Sequence, residues 1–367
     1  MAAGYSCKVL FLRREGNAIQ RYREEGIDVS IAEDIMTYAH AYGAYNSFVS
    51  RRPWRVITNL IKTFASVKNA QKIISKEKPS LVYLNTSVLI PFAIAAKKEH
   101  VPVIWHLREQ IHKGIFGIRK KMVQYLFKKY AHTIIAISQV NASSLGVENI
   151  KVIYNSVNFT QFDKNLVPHS IKNKWSIHAP FVVCFIGGKV LSKGADLLVA
   201  SILELLKVRD DFQVIIAGQF NTENQQVMNK IERKVYALCQ KNPLLKNKLI
   251  FTGALPNVAE IIAASDLLVW PATTPHFARP IMEAMVMAKP VVASDFQSSA
   301  EILEHEKHGL LVTPAPLPIA NAILHLMNNR EMAKEMGLAA YDKAKNLFDA
   351  RVNNERILEE IKAYSLA

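Results

Sequence analysis

Cysteine is scarce: Cys7, Cys184 and Cys239 are the three in 367 residues. They fit no metal-ligand spacing, and an odd number in a chain this long argues against a disulfide framework, so a reducing compartment is expected. Long hydrophobic runs are missing too. The most apolar stretch, "LVYLNTSVLIPFAIAA", is interrupted by Asn85, Thr86 and Pro91 and is too short to span a bilayer. No charged-then-apolar leader opens the sequence. The expectation is a cytoplasmic protein that, if it meets a membrane, lies peripherally on the inner face. No repeat of about 20 to 50 residues is visible, which excludes solenoids and propellers, and no single-residue tract marks a disordered segment.

What is present is core material. Half of the residues are hydrophobic and the mean hydropathy is +0.07. At 41.3 kDa the chain exceeds what one core organises, about 250–300 residues, so two domains are expected.

The formal charge of +15 is unevenly placed. Residues 1–166 hold 24 Lys and Arg against 11 Asp and Glu; the remainder holds 22 against 20. A basic half attracts phosphate-rich partners, either anionic lipid or nucleic acid, and an ordinary solvated surface is the plain alternative. Basic residues interleaved with aromatics, as in nucleic-acid stacking platforms, are not found, so no nucleic-acid partner is expected. Arg51, Arg52, Trp54 and Arg55 precede an amphipathic stretch and suggest docking on an anionic membrane.

Short apolar runs alternate with amphipathic stretches throughout, the pattern of parallel sheets covered by helices on both faces. "KVLFL", "IDVSI", "SLVYLN", "VPVIWH" and "TIIAIS" read as strands in the first half, and "FVVCFIGG", "FQVIIAG", "KLIFTG", "DLLVWP" and "PVVASD" in the second. Helices are expected over Arg55 to Lys76, Ile118 to Tyr130 and Arg351 to Tyr364. The two halves read as doubly wound α/β domains joined near "IKVIYNSVNFTQFDKN".

Five stretches, in order, resemble the retaining glycosyltransferases of family 4. They are "VIYNSVNFTQF", "FIGGKVLSKGADLLVAS", "IIAG" with "LIFTGAL", "AEIIAASDLLVWPA", and "ATTPHFARPIMEAMVMAKPVVASD". The resemblance implies the α/β GT-B fold, with two Rossmann-like domains facing a cleft. The expected division is 1–166 on the acceptor side, 167–350 for the nucleotide sugar, and a helix over 351–367 crossing back to the first domain.

Pro280 at an early helical position leaves free backbone donors and the positive end of the dipole facing "HFAR", an anion site. For Glu283 two readings stand: the resemblance makes it the acceptor for ribose hydroxyls, while the residues alone allow a favourable acid near a helix start. "GGKVLSKG" is a second phosphate element. Gly187 and Gly188 permit close approach, and Lys193 with Lys189 can neutralise a leaving diphosphate, although lysines on a turn are also ordinary surface. The donor site is completed by His276, Phe277, Ala278, Arg279 and Pro280.

In the first half His106 follows the strand of "VIWH", at the carboxyl end where parallel sheets place ligands. The resemblance implies contact with the donor sugar or with developing charge; a satisfied structural histidine is the rival. Asn85, Arg108 and Glu109 are taken as acceptor-side residues. The resemblance thus assigns catalytic roles to His106, Lys193 and Glu283.

Departures from the family pattern are specific. Pro275 stands where the family has its first glutamate, Ala278 and Ala288 stand at family glycines, and Gly188 stands at the family arginine. The chain resembles the family from its second strand onward, so the first βα unit is expected to be absent. The activity implied is transfer of a sugar from a UDP- or GDP-linked donor to a saccharide or lipid-linked acceptor in polysaccharide or lipopolysaccharide synthesis. No Asp-x-Asp pair is present, so neither metal nor cofactor is expected. A non-catalytic GT-B subunit is the alternative, with a basic nucleic-acid-binding protein behind it.

Overall fold

The computed structural model describes residues 4–14, 18–37, 53–109, 111, 117–221 and 225–365. They fall into two units: Met1–Ile153 with Ile357–Ala367, and Tyr154–Arg356.

The first unit runs β1 (Lys8–Phe11), α1 (Ala18–Glu24), β2 (Asp28–Ile31), α2 (Pro53–Glu77), β3 (Val82–Leu84), α3 (Ile90–Lys98), β4 (Val103–Leu107), α4 (Ile118–Tyr130), β5 (Thr133–Ala136), α5 (Gln139–Leu145) and β6 (Ile150–Val152). β3 to β6 form one parallel sheet in chain order, and β1 pairs in parallel with β2 in a separate sheet. "KVLFL" is therefore not a central strand of the larger sheet. β4 is buried along its length, which explains its near-continuous apolar run. Val103, Trp105 and Leu107 face a core shared with α2, α3 and α4. Ile104 faces the opposite side with Ile135 and Ile153, where Ile357, Ile361 and Tyr364 of the last helix cover them. Tyr364 Oη and Thr133 Oγ1 are 2.7 Å apart there.

The second unit runs α6 (His169–Lys174), β7 (Phe181–Ile186), α7 (Ala195–Leu205), β8 (Phe212–Ala217), α8 (Lys230–Lys241), β9 (Leu249–Gly253), α9 (Ala259–Ala263), β10 (Leu267–Trp270), α10 (Arg279–Val286), β11 (Val291–Ser294), α11 (Gln297–Ala300), β12 (Leu310–Val312), α12 (Pro316–Asn328), α13 (Arg330–Phe348) and α14 (Ala350–Ser365), whose end belongs to the first unit. The sheet order is β12-β11-β10-β7-β8-β9, all parallel. The chain starts in the middle at β7, winds outward through β9, returns to β10 beside β7, and winds outward again. Alternate residues feed two cores: Val182 and Cys184 meet α9, α10 and α13, while Phe181, Val183 and Phe185 meet α7, α8 and α12.

The division lies at 153/154 rather than 166/167, because Val157 and Phe162 are buried in the second unit's core and Val157 N–H donates to Phe348 O at 2.9 Å. The later division lies at 356/357 rather than 350/351. The first turns of α14 stay with the second unit, where Asn353 Nδ2 donates to Leu347 O and Tyr154 O. β12, three residues long, has no counterpart among the strands expected from sequence.

α10 ends in a Schellman arrangement: Lys289 N–H donates to Ala284 O and Ala288 N–H to Met285 O. Ala288 stands at the left-handed position, with φ of 53°. A left-handed non-glycine residue costs roughly 1–2 kcal/mol. Ala288→Gly should therefore raise stability by about 1 kcal/mol, part of the relief being offset by glycine's freedom in the unfolded chain; the denaturant midpoint checks this, and a lower midpoint would contradict it.

Candidate active site

In the second unit the two windings part between β7 and β10, and a parallel sheet presents its ligand crevice at such a point, beyond the carboxyl ends of the strands. The loops following these two strands carry most of the donor residues expected from sequence. They are in backbone contact. Thr273 N–H donates to Ser192 O at 2.9 Å, and Gly194, at φ of 78°, has no room for a Cβ, which would overlap Pro271 O. Gly194 is also the N-cap of α7.

The loop after β7 turns at Gly187 and Gly188. A Cβ on Gly188, whose φ is 57°, would lie 2.9 Å from Gln219 O, so the arginine of the family pattern has no room at this position. Lys193 is half-buried with Nζ 6.0 Å from the Trp270 ring centroid. Burial holds its pKa below the ordinary lysine value. Lys189 is likewise half-buried and lies 3.9 Å from Glu232 Oε1.

The loop after β10 leads into α10, whose N-cap Ala278 offers no side-chain acceptor, and Pro280 follows in the first turn. The leading backbone N–H groups are thus left for another partner. Glu283 is the fifth residue of the helix, just past its first turn, and is 5% exposed. Burial raises its pKa, against the opposing pull of Arg279, whose Nε donates to Glu283 Oε1 at 2.8 Å. Phe277 packs beside Tyr154, with centroids 6.1 Å apart, and Ala278 is buried in the core.

His276 donates through Nδ1 to Thr274 O at 2.9 Å, since a carbonyl can only accept. Burial first, then Lys193, lowers its pKa, so the ring is neutral and Nε2 is an acceptor. That atom and the edge-on Trp270 Nε1 are buried without a partner among the described residues. Trp270, Thr273 and Gly194 were not nominated from sequence. Their signals, an aromatic closing a strand and a glycine after the lysine of "SKG", are too common to single them out alone.

In the first unit His106 is the fourth residue of β4, not the residue after it, because pairing with β5 continues through Leu107. It is 2% exposed, its Nδ1 lies 2.6 Å from Tyr83 Oη, and Nε2 is buried without a partner. Burial and Arg108 push its pKa down to about 3, and burial pushes the Tyr83 phenol up to about 12. Both groups are therefore neutral near pH 7. Arg108 Nε donates to Asn85 Oδ1 at 2.8 Å, linking the ends of β4 and β3. Glu109 is held structurally: Thr86 Oγ1 and Ser87 N–H donate to its carboxylate, and its carbonyl accepts from Asn141 Nδ2.

Residues 169–343 match the family model described as "Glycosyl transferases group 1", and residues 16–161 match "Glycosyltransferase Family 4". The chain is 28% identical over 220 residues to "Uncharacterized glycosyltransferase MJ1178" of Methanocaldococcus jannaschii, covering 58% of this chain and 55% of that protein. It is 28% identical over 268 residues to "Lipopolysaccharide core biosynthesis mannosyltransferase LpsB" of Rhizobium meliloti, covering 65% and 74%. The chain thus spans about half of the first relative and about three quarters of the second. The crystal structure of Anabaena Alr3699/HepE in complex with UDP and glucose superposes with a TM-score of 0.75 at 21% identity, over 97% of this chain and 91% of that one.

The buried histidine predicts a pH dependence of stability. Its pKa is about 3 in the fold and near 6.5 when exposed, so between these values the unfolded chain binds the extra proton and stability falls as pH falls. His106→Phe should flatten the stability-against-pH slope by up to about 1.4 kcal/mol per pH unit across that window. An unchanged slope would show that His106 does not titrate this way.

Proposed function

The chain belongs to the glycosyl transferases group 1, with the GT-B fold, and from that premise we propose that it moves a sugar from a nucleoside diphosphate donor to an acceptor hydroxyl, with retention at the anomeric carbon. The observation that carries this is the meeting of the loops after β7 and β10, through Thr273 and Ser192 and through Gly194 and Pro271, at the switch point of the second sheet, with the second loop leading into α10 and its buried Glu283. The helix N-terminus and Lys193 suit the diphosphate, and Glu283 suits ribose hydroxyls.

In the reaction the bond from anomeric carbon to phosphate oxygen breaks and charge grows on the diphosphate. Lys193 and the α10 dipole stabilise that charge, so we assign the work to the chain's own cations rather than to a metal or cofactor. Arg279 adds to it if the incoming nucleotide draws it from Glu283. The leaving phosphate takes the acceptor's proton, and no side chain is nominated as base. His106, buried inside the first unit with its Nε2 shielded from solvent, is given no role in this step.

The name of HepE's complex, with UDP and glucose, and the names of the lipopolysaccharide core mannosyltransferases among the relatives support a hexosyl donor and a cell-surface saccharide acceptor. A UDP- or GDP-sugar and a saccharide or lipid-linked acceptor are the proposed substrates. Among the described residues no helix is long and apolar enough to cross a membrane. The outer side of α2 shows Ile61 and Phe64, 65% and 71% exposed, with exposed Lys62, Lys68 and Lys72. That composition suits docking on an anionic lipid surface at the inner face. Arg51 and Arg52 lie outside the described residues, while Trp54 and Arg55 are in the first turn of α2.

Glu283→Gln should weaken UDP or GDP binding by about 1.5–3 kcal/mol with the fold intact; unchanged affinity would sink the ribose assignment. Lys193 gives a pH signature. Because its pKa lies below the ordinary value, diphosphate affinity should decline with rising pH before a normal lysine would titrate, and Lys193→Arg, permanently charged, should abolish that decline. An identical pH profile in both proteins would remove Lys193 from the site. Lipid docking is checked by Ile61→Ser with Phe64→Ser. The pair should lower partitioning onto anionic vesicles at least tenfold, since two buried side chains are worth about 1.5–3 kcal/mol each, whereas wild-type protein that ignores such vesicles would end the idea.

A further inference from the structure

Glu232 on α8 is a carboxylate with 0% exposure. Its Oε1 accepts from Asn221 N–H at 2.7 Å and its Oε2 from Asn229 N–H at 2.8 Å. Asn229 Oδ1 accepts in return from the N–H groups of Ile231 and Glu232, closing a capping box signalled in the sequence as Asn-Lys-Ile-Glu. Glutamine also serves in a capping box, but its amide has a single acceptor oxygen, whereas here each oxygen receives a backbone N–H. The site therefore asks for a full carboxylate, and a buried carboxylate needs a cation.

The cation that pairs with it is Lys189, with Nζ 3.9 Å from Oε1. The same network holds the lysine's backbone from both sides. Lys189 N–H donates to Gln219 O at 3.1 Å, and Lys189 O accepts from Asn229 Nδ2 at 2.9 Å. Gly188 and Gly218 cross so closely that a Cβ on Gly218 would lie 2.6 Å from Gly188 N. Three segments thus lock together: the turn after β7, the loop after β8, and the start of α8. Gly188 has no room for a side chain, so Lys189 supplies the first cation of the turn.

We propose that Glu232 is a positioning residue that keeps the Lys189 ammonium beside the Gly187–Gly188 turn, where it serves as the second cation for a bound diphosphate. This rests on the nucleoside diphosphate reading above. Glu232 is not placed in contact with the ligand; it acts through Lys189. The prediction is a selective effect on the phosphate part of the ligand, with the nucleoside part untouched.

The test is calorimetric titration of the full chain with UDP, GDP and inorganic pyrophosphate, set against uridine and guanosine. Lys189→Met should lower diphosphate affinity about tenfold relative to the nucleoside, the size of one charge-assisted phosphate contact. Glu232→Gln should lower the same ratio severalfold and add nothing in the Lys189→Met background. If Glu232→Gln does not fold, Asn229→Ser retains an N-cap acceptor, removes the bond to Lys189 O, and should show the same selective loss. Equal loss for nucleoside and diphosphate, or full additivity with Lys189→Met, would overturn the proposal alone. Wild-type protein that binds none of the three phosphates would overturn the nucleotide reading together with it.

Discussion

The backbone contact between Gly194 and Pro271 sets the geometry on which the candidate donor site depends. β7 and β10 are neighbours from which the chain winds in opposite directions, so their following loops must pass each other at the sheet's carboxyl edge. They pass without a side chain between them, because a Cβ at Gly194 would overlap the Pro271 carbonyl. That closeness places Lys193 over the Trp270 ring and joins Thr273 to Leu191 and Ser192. It also starts α7 within the same turn. A larger residue at 194 would separate the loops and with them the cation from α10.

Burial then sets the charges. Lys193 and His276 are both held below their ordinary pKa values and Glu283 above its own, each chiefly through loss of water. Such a site has a cation that gains from an anion, a carboxylate with one modestly placed partner, and a neutral imidazole offering a lone pair. These are the conditions that the proposed diphosphate and its sugar hydroxyls would use, a cation and a lone pair both drawn away from water. The first unit shows the same economy at His106, neutral beside Tyr83 in the middle of a fully buried strand.

Much of the fold was legible because its strands are buried on both faces and read as apolar runs bounded by glycine and polar turns. "FVVCFI", "FQVIIA" and "LLVW" coincide with β7, β8 and β10, and α4 spans Ile118–Tyr130 as its periodicity suggests. β12 was not legible: three residues carry too little period to separate from a loop. The unit boundary was misjudged because burial of Val157 and Phe162 is a tertiary fact. His106 was placed after its strand because boundaries depend on pairing with β5, which sequence does not display. Lys193, Glu283 and the two turn glycines were nominated through their motif. Glu232 was not, although its capping box stands in the sequence, because nothing local reveals that its carboxylate meets the turn around Lys189.

The central claim is that one nucleoside diphosphate is held jointly by the turn after β7 and the start of α10. Amide hydrogen exchange of the full chain, with and without saturating UDP or GDP, tests it most directly. The account predicts slowed exchange at residues 187–194 and 278–283. Protection confined to other segments, or none at either loop under conditions where nucleotide is bound, would contradict it.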